Sequence, residues 1–142
     1  MAKKKITKKL VSYPNLENQE THLFMEAARA GIDYSFFNQL LNKIPLSLNE
    51  WADILHLSNR TLQRYQKQKK SFETLQSERI LEISQLYKYG FEVFEDAENF
   101  ETWMNLKSIP LGGVKPKSLL NSSFGIQMVK DELGRIEHGI PA

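Results

Sequence analysis

A polar stripe in the first half of the chain carries side chains suited to hydrogen bonding with nucleic-acid bases. Its residues recur at helical spacing on one face of a predicted helix: Asn59, Arg60, Gln63, Arg64 and Lys67. Arginine pairs with guanine edges, and asparagine or glutamine pairs with adenine edges. Lys69 and Lys70 follow and suit phosphates, which position a protein on the duplex without specifying sequence. The pattern predicts a DNA-reading helix, with Ser58 before it as a cap and a sixth candidate contact.

The apolar residues around this stripe match a helix-turn-helix over residues 48–67. They occupy the expected offsets on both helices: Trp51, Leu55, Leu57, Leu62 and Tyr65. Ala52 supplies the small residue needed where the two helices cross. His56 stands where such turns usually place glycine, and histidine tolerates a left-handed backbone better than most residues do. We therefore expect the turn to form, with some strain at His56.

Other interpretations of the same residues stay open. A basic amphipathic helix can be a solvated surface, and a helix-turn-helix can serve protein contacts, because folds are reused for unrelated functions. A transcription regulator with a ligand-sensing second half is a further possibility. The salt dependence of nucleic-acid binding separates DNA readers from interaction modules, since phosphate contacts weaken steeply as salt rises.

The charge of the 142-residue chain is concentrated in two blocks, although the formal net charge is only +2. Residues 1–9 and residues 59–70 each carry five basic side chains and no acid. The second block contains the polar stripe. The first block belongs to an expected flexible basic arm over residues 1–17, which is either a solubilising tail or a segment that becomes ordered on DNA.

Composition argues against several kinds of chemistry. The chain has no cysteine, which excludes disulfides, thiolate zinc sites and thiol nucleophiles. Its three histidines lie more than thirty residues apart, without metal-ligand spacing. The adjacent acidic and histidine residues at 131–132 and 137–138 do not face each other as a catalytic acid and base would. With apolar runs too short for a membrane span, we expect a cytoplasmic protein without catalytic, metal or cofactor sites.

Apolar periodicity and capping residues predict an all-α chain. In the first half, four helices are expected. The first covers residues 19–30, and the second runs from the Asp33 cap to Pro45. The third starts at the capping box of residues 47–50, and the fourth is capped by Ser58 or Asn59. A longer helix is expected over about 73–94, and Gly90 within it predicts a kink or a break.

The second half is predicted to form shorter helices around an irregular connection. Asp96 is expected to start one helix, Pro116 a short one ending at residue 121, and Ser122 or Ser123 the last one. In the last helix, four residues are expected to point inward: Met128, Val129, Leu133 and Ile136. The pair Gly112-Gly113 is followed by neither Gly-Lys-Ser nor Gly-Lys-Thr, so it predicts positive φ angles rather than a phosphate loop.

Large apolar residues are frequent after residue 90, in a segment that is acidic overall. They are Phe91, Phe94, Phe100, Trp103, Met104 and Leu106. Such residues can complete a core, and they can also form an oligomer or partner surface. Both interpretations are compatible with the sequence.

Three motifs in this half resemble the Xre/MbcA/ParS-like antitoxin family. They are Trp103-Met104-Asn105-Leu106, the turn Leu111-Gly112-Gly113-Val114-Lys115-Pro116-Lys117-Ser118-Leu119-Leu120, and Arg135-Ile136-Glu137-His138-Gly139. The family shows a Trp-Leu helix, a Leu-Gly-Gly turn with a following proline, and a terminal Arg-Ile-Glu-His/Tyr-Gly. The resemblance covers roughly residues 30–142. Met104 replaces the usual leucine, and Pro141 stands where a small apolar residue is common.

The resemblance implies a type II antitoxin that represses its own operon by binding operator DNA as a homodimer. It implies an Xre-like helix-turn-helix domain over residues 18–90 and a small helical toxin-binding domain over 91–142. The implied partner is a RES-domain toxin that consumes NAD or transfers ADP-ribose, with the antitoxin's chain end in its active-site cleft. The candidate toxin-binding residues are Arg135, Glu137, His138, Gly139, Ile140, Pro141 and Ala142. For His138, ordinary packing at a helix end is the alternative.

Overall fold

The computed structural model of the chain describes residues 21–139. Seven α-helices and two short 3-10 helices form this part of the chain, which contains no β-strand, so the predicted all-α class is confirmed. The α-helices are α1 (Thr21–Ala30), α2 (Tyr34–Lys43), α3 (Leu48–Leu55), α4 (Asn59–Gln68), α5 (Thr74–Phe94), α6 (Ala97–Met104) and α7 (Ser123–Glu137). The 3-10 helices are Ile109–Leu111 and Pro116–Leu119. The predicted basic arm and residues 140–142 lie outside the described residues.

Side-chain caps fix where several helices begin. The Asp33 carboxylate accepts a 2.8 Å hydrogen bond from the backbone N–H of Phe36 at the start of α2. Ser47 and Glu50 form the predicted capping box of α3, with reciprocal hydrogen bonds of 3.0 and 2.8 Å. Of the two candidates for α4, Ser58 is the cap.

The chain forms two compact units, with the boundary between Gln85 and Leu86 inside α5. In the first unit, α1–α4 and the first half of α5 surround an aromatic core. The Phe37 ring centre lies 5.0 Å from those of Trp51 and Phe72, in edge-to-face geometry. Phe37 and Trp51 are completely buried, so this cluster fixes α2 against α3.

A buried hydrogen-bond network ties the start of α5 to the rest of the first unit. The Ser77 hydroxyl accepts from the backbone N–H of Ile32 at 2.9 Å and donates to the Phe72 carbonyl at 3.3 Å. Arg79 donates from Nη1 to the Ile54 carbonyl of α3 at 3.3 Å. These bonds hold the helix-turn-helix against α5.

The second unit contains a separate aromatic cluster around Phe100. This side chain is completely buried and lies within 5.3 Å of the Tyr87 ring and 5.6 Å of the Phe91 ring, centre to centre. A Cβ atom at Gly90 would overlap the Phe100 ring. The predicted break at Gly90 is wrong, because α5 continues to Phe94 and the glycine instead makes room for this ring.

The connection between α6 and α7 is built from the two 3-10 helices. Gly112 and Gly113 have φ angles of +87° and +78°, which confirms the expected backbone role of the pair. Lys117 holds this segment to α6 through a 2.7 Å ion pair with Glu101. The segment begun by Pro116 is a 3-10 helix of four residues, shorter than the predicted helix to residue 121.

The inward face of α7 differs from the prediction at two positions. Val129 and Leu133 are completely buried, as expected, but Met128 is 44% exposed and Ile136 is 37% exposed. Ile126 takes the inward position instead, since it lies three residues before Val129, whereas Met128 is displaced about 100° from Val129 around the helix. Both of these apolar side chains of α7, which the sequence predicts inside, therefore face away from the core.

Candidate functional site

The turn between α3 and α4 has the geometry that the sequence predicts. His56 ends α3 with φ 56° and ψ 40°, a left-handed conformation. The Ala52 carbonyl accepts from the backbone N–H of Leu57 at 2.9 Å, and the Ala52 side chain is almost fully buried. His56 therefore takes the position that glycine usually occupies and lets the chain turn into α4.

The start of α4 is fixed by the side chain that precedes it. The Ser58 hydroxyl accepts from the backbone N–H of Thr61 at 3.0 Å and donates to the Thr61 hydroxyl at 2.9 Å. Leu62 is completely buried and Tyr65 is only 7% exposed, so both point into the first unit. This anchoring sets which face of α4 meets solvent.

That outer face carries all the base-reading candidates. Six predicted residues are exposed: Ser58, Asn59, Arg60, Gln63, Arg64 and Lys67. No acidic residue occurs between positions 54 and 72. The helix N-terminus adds a partial positive charge near Asn59 and Arg60. The structure thus brings together a row of hydrogen-bond donors and positive charges without acidic neighbours in sequence, a surface that suits base edges and phosphates.

Two lysines extend the positive charge beyond α4. Lys69 ends the helix in a left-handed conformation with φ 50°, and Lys70 follows with its ammonium 5.1 Å from the centre of the Tyr65 ring. Both side chains are exposed. The turn keeps these cations beside the polar stripe, and the Tyr65 ring lies against one of them.

The second group of candidates lies at the end of α7. Glu137 accepts a 2.8 Å hydrogen bond from the Tyr89 hydroxyl of α5. Arg135 donates to Glu132, which is buried, at 3.0 Å. Both candidates are thus held by the chain's own side chains, whereas the His138 side chain is 70% exposed and 3.7 Å from a Glu137 oxygen.

Gly139 follows with φ +68°, so the backbone leaves α7 through a left-handed residue. Ile140, Pro141 and Ala142, the remaining candidates, lie outside the described residues. The structure therefore places four of the seven candidates at the end of α7.

The contact with Glu137 changes the acidity of Tyr89. Burial raises the pKa of the Tyr89 hydroxyl to about 12, and the hydrogen bond to the Glu137 carboxylate and the negative charges of Glu137 and Glu92 act in the same direction. The phenol therefore remains a hydrogen-bond donor over the whole physiological pH range. The clasp between Tyr89 and Glu137 joins α5 to α7.

Sequence reasoning missed the partners of these residues. Tyr89 is 48 positions from Glu137, and Ser77 is 45 positions from Ile32, so local spacing gives no signal for either pair. Within residues 21–139, no group of three or more metal-ligating side chains is placed to hold an ion. None of the helices in the same range is long and apolar enough to cross a membrane.

Comparisons with known proteins find similarity along both units. Residues 24–84 match the family model described as the antitoxin Xre-like helix-turn-helix domain. Residues 90–139 match the model of the antitoxin Xre/MbcA/ParS C-terminal toxin-binding domain. A curated relative, antitoxin Xre of Photorhabdus laumondii subsp. laumondii, is 30% identical over 117 residues, which cover 72% of this chain and 79% of the relative.

Proposed function

The chain belongs to the Xre/MbcA/ParS-type antitoxin family, and from that membership we propose that it neutralises a RES-domain toxin and represses its own operon. The observation that carries this proposal is the presence of two different surfaces in one chain. An exposed, basic helix-turn-helix face lies in the first unit. A folded segment matched as toxin-binding forms most of the second. Both roles require binding and no catalytic step.

The proposed DNA contact uses the outer face of α4. In a helix-turn-helix, the second helix lies in the major groove and its N-terminal residues reach the base edges. Asn59, Arg60 and Gln63 stand in the first half of α4, where this arrangement places base contacts. Arg64 and Lys67 extend the row, and Lys69 and Lys70 suit the flanking phosphates.

We propose that operator DNA is bound by a homodimer. Two recognition helices about 34 Å apart read successive half-sites on one side of the duplex, which multiplies the specificity of a single α4. An operator with two inverted half-sites, centred about ten base pairs apart, is the expected target.

The proposed toxin contact uses the end of α7 and the residues that follow it. His138 is exposed and Gly139 redirects the backbone. Residues 139–142 are proposed to enter the active-site cleft of the toxin and block access of NAD. Two side chains near the end of α7 are held in place, Arg135 by Glu132 and Glu137 by Tyr89, so the helix end that precedes this segment is anchored.

The DNA-binding role is tested with Arg64→Ala and a duplex from the promoter region of the chain's own operon. Loss of a bidentate base contact weakens binding by about 1–3 kcal/mol. Fluorescence anisotropy at one fixed salt concentration measures the change. Arg29→Ala is the matched control, since it removes the same charge from an exposed residue of α1. Equal affinities for wild type and Arg64→Ala would remove α4 from the role of reader.

The toxin-neutralising role is tested by deleting residues 139–142. The deletion leaves every α-helix between residues 21 and 137 intact, so circular dichroism should match that of the full chain. Co-expression with the protein encoded by the adjacent gene should rescue growth with the full chain and fail with the truncated one. Rescue by the truncated chain would contradict occlusion of the toxin by the chain end.

A further inference from the structure

Exposed apolar side chains are concentrated in the second unit. Nine large apolar residues are exposed within residues 21–139, and six of them lie in the segment matched as toxin-binding: Leu106, Ile109, Val114, Phe124, Met128 and Ile136. Phe124 is 88% exposed on the first turn of α7. The ring contributes little to the core of the second unit, and aromatic side chains are enriched at protein interfaces.

Phe124 and Met128 begin a continuous outward stripe along α7. The stripe continues through Asp131, Arg135 and His138, with alternating spacings of four and three residues. All five side chains are exposed, and the inward residues of α7 occupy the opposite face. The stripe is apolar at its start and charged toward its end, which is where the candidate toxin-binding residues lie.

The size of a stable protein interface argues that the contact extends along this stripe. Stable complexes bury about 800 Å² on each partner and involve about 20 residues a side. The four residues 139–142 are too few to provide this area. Phe124 and His138 are about 21 Å apart along the helix axis, so the stripe supplies an adjoining surface of suitable length.

We propose that the outward stripe of α7, anchored by Phe124 and Met128, is a docking surface for the toxin, next to the contact proposed above for the chain end. This inference rests on the proposed function. This docking requires a toxin surface with an apolar recess that accepts the Phe124 ring. Polar groups farther along the same surface pair with Asp131 and Arg135. Phe124 contributes affinity, while the chain end blocks the toxin's cleft.

The test compares dissociation constants for full-length variants and the purified protein encoded by the adjacent gene. Phe124→Ser is expected to weaken binding by about 10–100-fold, because an exposed aromatic anchor is lost. Met128→Ser is expected to have a smaller effect in the same direction. Leu75→Ser is the control, since Leu75 is 77% exposed in the first unit and its loss should leave the affinity unchanged.

The outcomes separate this inference from the proposed function. If wild type binds and both α7 variants bind equally well, the docking surface is wrong and the proposed function stands. If wild type does not bind the adjacent gene product, the proposed function fails and the inference with it. If Phe124→Ser abolishes self-association in light scattering but leaves toxin affinity unchanged, a second copy of this chain covers the stripe, and the inference is overturned.

Discussion

Replacing Gly90 by alanine tests how the second unit is packed, because helix propensity and core packing predict opposite results. Alanine is favoured over glycine by about 1 kcal/mol in a helix interior, and Gly90 lies inside α5. If local propensity decided the outcome, Gly90→Ala would stabilise the protein. The structure predicts the reverse, since a Cβ at this position would overlap the Phe100 ring.

The Phe100 ring has little room to move away. It is completely buried, and its centre lies 5.7 Å from that of Phe94 and 6.1 Å from that of Trp103, in addition to its contacts with Tyr87 and Phe91. Inserting a methyl group into such a packed site costs about 1–3 kcal/mol. Because the overlap is with several atoms of a fully buried ring, we expect the upper part of this range, about 2–3 kcal/mol, and subtraction of the propensity gain of about 1 kcal/mol leaves a net loss of about 1–2 kcal/mol in the free energy of unfolding.

Urea denaturation followed by circular dichroism measures this change. Gly134→Ala in α7 is the matched control, since its new Cβ would meet only the Tyr89 hydroxyl, at an ordinary 3.6 Å. That variant should be more stable than wild type by about 0.5–1 kcal/mol. A Gly90→Ala protein at least as stable as wild type would refute the packing account of this glycine.

Two further predictions concern the turn of the helix-turn-helix and the clasp on α7. His56→Gly should raise the free energy of unfolding by about 0.5–1 kcal/mol in urea titrations, because glycine adopts φ 56° without steric strain. A loss of stability would contradict this expectation and show that the histidine side chain contributes more than its backbone strain costs. The folded state holds the Tyr89 proton up to a pKa of about 12, whereas an unfolded tyrosine loses it near 10, so stability should fall as pH rises from 10 to 12. Thermal melts across this interval should show a smaller fall in stability for Tyr89→Phe than for wild type. Identical pH profiles of the two proteins would contradict the raised pKa of Tyr89 in the folded state.

Elements governed by nearby residues are the ones that the sequence predicts well. The Ser47 capping box, the left-handed His56 and the positive φ of Gly112 all follow from residues within a few positions along the chain. The burial of Leu62 and Tyr65 also follows from local periodicity, and this places the polar stripe on the outer face of α4.

Features that depend on distant residues are missed. Gly90 looks like a helix breaker until Phe100, ten residues later, is folded over it. The hydroxyl that holds Glu137 comes from a different helix. Met128 was expected inside because it is apolar, although its angular position relative to Val129 sets it toward solvent. Apolar character alone does not tell a core residue from one that a partner covers.

Inhibition of NAD consumption is the most direct test of the proposed neutralisation of a RES-domain toxin by this chain. The purified product of the adjacent gene is incubated with NAD and increasing amounts of the full chain. The rate of NAD loss is expected to fall in proportion to the added chain and to reach zero at a fixed molar ratio, while the chain truncated after residue 138 leaves the rate unchanged. Undiminished NAD consumption in the presence of excess full chain would contradict the proposed neutralisation.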